Sequence, residues 1–178
     1  RLPAWLWGQR ADGGWGVKDE NSAADGDLWT AYALLEAARL WNAPAYAETG
    51  KRLLALVRSK EVAVDGAGVP VLLSGTVGFR LDKGRFRINP SYLPGFMFRY
   101  FALVDPQGPW QAIWDGYLRM APQIFSAGVA PDNLVVDATG RAIPDTELPP
   151  SASYDGIRVY LWAGLSGPGS ETLLKQLA

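Results

Sequence analysis

The chain repeats one pattern three times: a segment apolar on nearly every side, then a segment apolar along one stripe only. Over residues 28–41, apolar side chains point in almost every direction of a 3.6-residue helix, which marks a helix enclosed by protein. Over residues 46–61, Leu53, Leu54 and Val57 form a single stripe. Glu48, Lys51, Arg52, Arg58 and Lys60 fill the remainder, as in a helix with one face in water. The pair recurs as residues 92–104, rich in Phe and Tyr, followed by 110–120, where Ile113, Trp114, Tyr117 and Leu118 oppose Gln111, Asp115 and Arg119. It recurs again as 154–165 followed by 170–177, which carries Leu173, Leu174 and Leu177. Three inner-then-outer helix pairs predict an all-α chain forming half of an (α/α)6 toroid. In such a toroid the inner helices run the same way, so their N-termini, here carrying Asp25, Ser91-Tyr92 and Ser153-Tyr154-Asp155, gather at one end and place a cleft there.

Two irregular stretches separate the pairs. Residues 62–87 hold β-branched runs broken by Gly66, Gly68, Gly75, Gly78 and Gly84, which predicts short hairpin strands. Residues 127–150, with Pro131, Pro144, Pro149 and Pro150, predict a loop containing one small hairpin around Asp137-Ala138-Thr139-Gly140. Loops this long inside a domain are usually functional and here would wall the cleft. No low-complexity linker divides the chain, so residues 1–178 read as part of a single domain.

Composition closes off several classes of function. A net charge of −1 offers no basic footprint for nucleic acid. The absence of Cys and His removes disulfides and the commonest zinc ligands. No run of 18 apolar residues is present to span a membrane, and the residues contain no signal peptide. With 48% hydrophobic and 20% charged residues, the chain suits a globular unit with a sizeable core.

Asp25 and Asp155 each stand at the start of an apolar helix, where unpaired N–H groups and the helix dipole favour a negative charge. Glycoside hydrolysis works through carboxyls, one to protonate the leaving oxygen and one to serve as base or nucleophile. Simple capping is the competing explanation: Asp25 as N-cap of a helix starting near Asp27, and Asp155 as a charge on its own first turn. Arg158 lies three residues after Asp155, on the same helix face and within ion-pairing reach.

The flanking residues resemble glycoside hydrolase family 8, above all its endo-β-1,4-glucanases of bacterial cellulose synthesis. Four blocks in the family's order carry the resemblance: Leu2-Pro3-Ala4-Trp5-Leu6-Trp7-Gly8; the run from Ala24-Asp25-Gly26-Asp27 through Ala37-Ala38-Arg39-Leu40-Trp41; Phe86-Arg87-Ile88-Asn89-Pro90-Ser91-Tyr92-Leu93-Pro94; and Ser153-Tyr154-Asp155-Gly156-Ile157-Arg158-Val159-Tyr160-Leu161-Trp162. Ala24 replaces the usual Ser or Thr, and Thr30 stands where Ile or Met is common. The resemblance implies an inverting endo-β-1,4-glucanase acting on cellulose. In it Asp155 is the general base, Asp25 grips the distorted sugar, Arg158 and Tyr92 hold base and water, Tyr154 lines the site and Trp5 stacks a distal glucose. Trp7 and Trp15 are lesser companions of Trp5, while Trp29, Trp41, Trp114 and Trp162 sit in helical patterns that suit the core. No metal or cofactor is implied. The partners implied are a β-1,4-glucan chain and, as a candidate, the cellulose synthase and export machinery, in the periplasm, with a leader expected upstream of Arg1. The family's general-acid glutamate lies in a Ser-Glu-Gly-Gln-Ser-Tyr-Gly-like block that these residues lack, and Glu20, Glu36, Glu48 and Glu61 stand in other contexts. N-terminal and C-terminal portions of the catalytic domain are therefore expected to be absent. Alternatives are another activity of the family, on chitosan, mixed-linkage glucan or xylan, and a non-catalytic glucan-binding domain. A prenyl-cyclase-like toroid is disfavoured because no metal-binding carboxylate cluster is present.

Overall fold

Among the described residues, 1–125, 128–149, 151–167 and 170–177, the computed structural model places six α-helices and seven short strands. They divide between two compact units, Arg1–Glu61 with Ser74–Gly78, and Val62–Leu73 with Phe79–Ala178. Ala127 and Pro150, which bound the second irregular stretch of the sequence, lie outside the described residues.

The first unit holds an antiparallel hairpin, β1 (Leu6–Gln9) and β2 (Trp15–Asp19), and a helical hairpin, α1 (Ala24–Trp41) and α2 (Pro44–Lys60). Helix α1 stops at Asn42, whose left-handed backbone (φ 50°) suits an asparagine, and Pro44 opens α2 where a missing N–H costs nothing. Ala31 and Leu35 of α1 are buried, as are Gly50, Leu54 and Val57 of α2. Gly50 permits the close approach, because a Cβ there would meet Leu35 Cγ at 2.9 Å and the Ala31 carbonyl at 3.2 Å. The segment Ser74–Gly78 lies along the start of α1, with the Ala24 N–H donating to the Ser74 carbonyl at 3.0 Å and the Asn21 amide bonding both backbone groups of Val77.

The second unit has a hairpin, β3 (Val62–Val64) with β4 (Pro70–Leu72), and a three-stranded antiparallel sheet, β5 (Phe86–Ile88), β6 (Leu134–Val136) and β7 (Ala142–Ile143). The turn between β6 and β7 is the one read at Asp137–Gly140; Asp137 Oδ1 accepts from the Thr139 and Arg141 N–H groups. Helices α3 (Gly95–Val104), α4 (Trp110–Ile124), α5 (Tyr154–Leu165) and α6 (Glu171–Leu177) complete the unit. Met97, Phe98 and Phe101 of α3 are buried with Trp110, Trp114 and Tyr117 of α4, and the Phe101 and Trp110 rings are 5.4 Å apart. No helix among the described residues is long and apolar enough to cross a membrane.

Four features depart from the sequence expectation. The hairpin β1–β2 is an element that the apolar pattern does not announce. Helix α3 begins at Gly95 and not at Tyr92, because Pro94 cannot continue a helix and restrains Leu93; Pro90–Tyr92 forms a separate 3-10 turn capped by Asn89. Helix α1 begins at Ala24, with Ala23 at the cap position, so Asp25 lies inside the first turn and is not its N-cap. The inner helices are also not enclosed all round. Trp41 is 69% exposed near the end of α1 and Ile157 is 65% exposed on α5.

The Gly50 contact makes a definite stability claim. Gly50→Val is expected to destabilise the chain by about 1–3 kcal/mol through overpacking against Leu35, measured as a lower urea midpoint by circular dichroism.

Candidate active site

The N-terminus of α5 carries Asp155 in its first turn, and the structure surrounds that carboxylate with donors. Asn89 Nδ2 donates to Asp155 Oδ2 at 2.5 Å, and Arg158, three residues on, donates through Nη2 to Oδ1 and forms an ion pair. The Arg158 guanidinium carbon lies 5.7 Å from the centre of the Tyr92 ring, a cation–π distance. Asp155, Arg158 and Tyr92 are thus brought together, and the Asp155 and Arg158 side chains remain about one third exposed, open to a solute.

Asn89 has no freedom to turn. Its Oδ1 accepts from the Ser91 N–H at 2.9 Å and the Ser91 hydroxyl at 2.7 Å, and the side chain is buried. A backbone N–H can only donate, so the carbonyl end of the amide must face Ser91 and the NH2 end must face Asp155. Trp162, one turn of α5 beyond Arg158, donates from its ring N–H to the Ser91 carbonyl at 2.8 Å and ties the helix to the same turn.

The helix start itself is fixed from outside. Asp132 Oδ1 accepts from the N–H groups of Ser153 at 2.8 Å and Gly156 at 2.9 Å, supplying the cap that α5 lacks locally. Burial works against the charge on Asp132, but these donors and the Ser151 and Ser153 side chains outweigh it and hold its carboxyl below the usual range. Gly156 is required by the same approach, since a Cβ would stand 2.6 Å from the Ala130 carbonyl. Upstream, Arg87 of β5 forms a buried ion pair with Asp145 and donates to Glu147 at 2.8 Å, which ties the chain leading to α5 to the sheet. Asn89 and Asp132, like the Arg87–Asp145 ion pair, belong to this arrangement and were not singled out by sequence reasoning.

The remaining candidates are placed as follows. Tyr154 is 85% exposed at the first position of α5. Asp25 and Trp5 belong to the first unit. Asp25 is half-buried and its Oδ1 accepts from the Gly26 N–H at 2.8 Å. Trp5 is exposed, with its backbone N–H held by the Asn21 carbonyl and its side chain hydrogen-bonded to Asp19. Trp7 and Trp15 are exposed too, and the register pairing Trp7 with Val17 and Gln9 with Trp15 puts both rings on one face of the β1–β2 hairpin.

Among the glutamates, Glu61 is pushed up to about 7 by burial, a value suited to an acid, but it is fully buried and presents no surface to a substrate. Glu20 is exposed and paired with Arg1 at 2.8 Å. No group of three His, Cys, Asp or Glu side chains among the described residues could hold a metal ion. A cavity of about 420 Å³ beside Ile124, Leu134, Ile143 and Leu148 is mostly apolar, and Asp155, Arg158 and Tyr92 are not among its lining residues.

This arrangement, an accessible carboxylate braced by an amide and a guanidinium beside an aromatic ring, is suited to moving a proton at a polar substrate. Residues 1–177 match the profile of Glycosyl hydrolases family 8, and the chain belongs to that family. An endoglucanase of Xanthomonas axonopodis pv. citri (strain 306) is 48% identical over 170 residues, which are 94% of this chain and 43% of the relative. An endo-1,4-D-glucanase from Vibrio fischeri ES114 superposes with a TM-score of 0.89 at 40% identity, covering 99% of this chain and 52% of that one. An endo-β-1,4-glucanase from Acetobacter xylinum superposes with a TM-score of 0.78 at 28% identity, covering 90% of this chain and 50% of that one. The chain thus spans about half the length of the relatives it matches. Its fold class is the family's, helical pairs of the (α/α)6 type with short β-hairpins between them.

The external cap can be tested by stability. Asp132→Ala is expected to cost about 0.5–2 kcal/mol at neutral pH, seen in urea denaturation. Because the folded-state pKa of Asp132 is depressed, its contribution is present above the ordinary carboxyl range and is lost as pH falls, so the two proteins should converge in acid.

Proposed function

We propose that the protein is an endo-β-1,4-glucanase that hydrolyses internal bonds of cellulose with inversion, with Asp155 as the general base. The observation that carries this reading is the bracing of Asp155 by Asn89 and Arg158 within the Ser-Tyr-Asp-Gly-Ile-Arg block. A base must present one lone pair of fixed direction to a water molecule. With one donor already on each of its oxygens, the carboxylate leaves a narrow range of directions for the next partner. In the step proposed, Asp155 takes a proton from water as the water oxygen attacks the anomeric carbon opposite the departing sugar.

Tyr92 and Arg158 would border that water. Asp25, in the first turn of α1, would bind hydroxyls of the strained sugar, and the exposed ring of Trp5, with Trp7 and Trp15 on the neighbouring hairpin, offers flat apolar surface to the faces of glucose. The acid that protonates the leaving oxygen is placed outside residues 1–178, since no glutamate in them combines access with the family context. On the resemblance to the cellulose-synthesis members, the setting proposed is the periplasm, with the nascent glucan as substrate and the synthase machinery as partner.

In the full-length gene product, Asp155→Asn is expected to lower kcat on carboxymethylcellulose by about 10²–10⁴-fold while cello-oligosaccharide affinity stays nearly unchanged. Asn89→Ala is expected to lower kcat in the same direction by a smaller factor, because it removes the brace and not the base. Retained turnover in Asp155→Asn would remove Asp155 from the reaction. A wild-type protein that binds glucan without cleaving it, or that cleaves chitosan or xylan in its place, would overturn the activity proposed.

A further inference from the structure

Asp27 and Glu61 form a buried acid pair next to Asp25 that the reaction proposed above does not use. Asp27, on the first turn of α1, is 4% exposed, and Glu61, immediately after α2, is fully buried. The Glu61 N–H is satisfied by the Val57 carbonyl at 2.8 Å, and its Oε1 accepts from the Ser22 hydroxyl at 2.6 Å. That hydroxyl oxygen accepts in turn from the Thr76 N–H at 3.2 Å. Each acid keeps one oxygen, Asp27 Oδ2 and Glu61 Oε2, buried with no donor on it, and the two carboxyl groups are within hydrogen-bonding reach of each other.

Two carboxylates cannot hydrogen-bond, because each only accepts; a proton on one supplies the missing donor to both. Leaving two adjacent buried anions without it would carry both the desolvation cost and mutual repulsion. We propose that Asp27 and Glu61 share a single proton and act as a positioning pair for Asp25, holding the start of α1 against the end of α2 and the Ser74–Gly78 segment. The second half of this inference rests on the assignment of Asp25 as a sugar-binding group.

The electrostatics agree with the geometry. Burial, then the charge of Asp25, pushes Asp27 up to about 6. Burial also pushes Glu61 up to about 7, against the Ser22 hydroxyl and with the charges of Asp27 and Asp25. From Ser74–Gly78 the groups on this network are the uncharged Thr76 hydroxyl and backbone, and the cations at the end of α2, Arg58 and Lys60, are exposed. Both folded-state values are raised above the ordinary 3.8 and 4.5. The stability the pair contributes is therefore complete below the ordinary values and is lost as pH rises through about 6 to 7. Loss of the proton sets three negative charges around the first turn of α1, so Asp25 should lose its fixed direction over the same window.

The test uses the full-length protein in two arms, with Glu61→Gln, whose amide donates without a proton to lose, and Glu61→Leu, which removes the donor and the acid together. In the first arm, thermal unfolding is followed from pH 4 to pH 8. The wild type should lose stability across the upper half of this range while Glu61→Gln stays flatter and Glu61→Leu is less stable throughout. Parallel wild-type and Glu61→Gln curves would overturn the shared proton. In the second arm, cellohexaose binding is measured by calorimetry in an Asp155→Asn background, with and without Glu61→Gln. The dissociation constant should rise several-fold between pH 6 and pH 8 when Glu61 is intact and remain level when Glu61→Gln is added. Equal pH slopes would overturn the positioning role. Absence of cellohexaose binding at every pH would instead overturn the glucanase reading, while the unfolding arm would still decide whether the proton is shared.

Discussion

Asp155 is held by an amide whose orientation is dictated by a backbone N–H. The Ser91 N–H forces the Asn89 carbonyl toward itself, the NH2 end of Asn89 is thereby turned on Asp155, and Arg158 closes on the other carboxylate oxygen. The surrounding contacts serve that alignment. Trp162 fixes α5 to the carbonyl of Ser91, Asp132 fixes the first turn of α5, and Arg87 with Asp145 fixes the chain that enters it. A carboxylate on a bare helix terminus would keep its rotamers; here their number is cut by partners that are themselves satisfied.

The first unit positions its acidic residue differently. Asp25 is bonded to its own neighbour Gly26, and the rigidity of its surroundings comes from the layer below, where Asp27, Glu61, Ser22 and Thr76 join α1 to α2 and to Ser74–Gly78. The two aspartates that look alike in sequence therefore stand on unlike foundations, one braced by donors that need no proton and one resting on a pair that does.

Much of this is legible in the amino-acid sequence. The three helix pairs showed because 3.6-residue periodicity persists through each of them, and the β6–β7 hairpin showed because Asp137-Ala138-Thr139-Gly140 is a turn sequence that follows a β-branched run. The β1–β2 hairpin was hidden by its two-residue alternation over only four or five residues, although Asp12-Gly13-Gly14 marked its turn. Asn89 and Asp132 were hidden for another reason, since the first meets a residue 66 positions away and the second caps a helix 21 to 24 positions away. Local sequence carries no sign of such pairings. Glu61 follows a run of charged, solvated residues and reads as one more of them; only the fold shows the chain turning inward there. The start of α3 was legible in principle, because Pro94 stands where a helix from Tyr92 would need an N–H.

If the bracing serves catalysis as proposed, Asp155 activates water and does not attack the sugar. Proton NMR of the first-formed product, recorded on the full-length protein acting on cellohexaose before mutarotation, tests this directly. The expected result is the α-anomer at the newly formed end, the outcome of water attacking opposite the departing β-linked sugar. First appearance of the β-anomer would mean retention through a covalent sugar–enzyme intermediate, and would contradict the role given to Asp155 and the purpose given to its bracing.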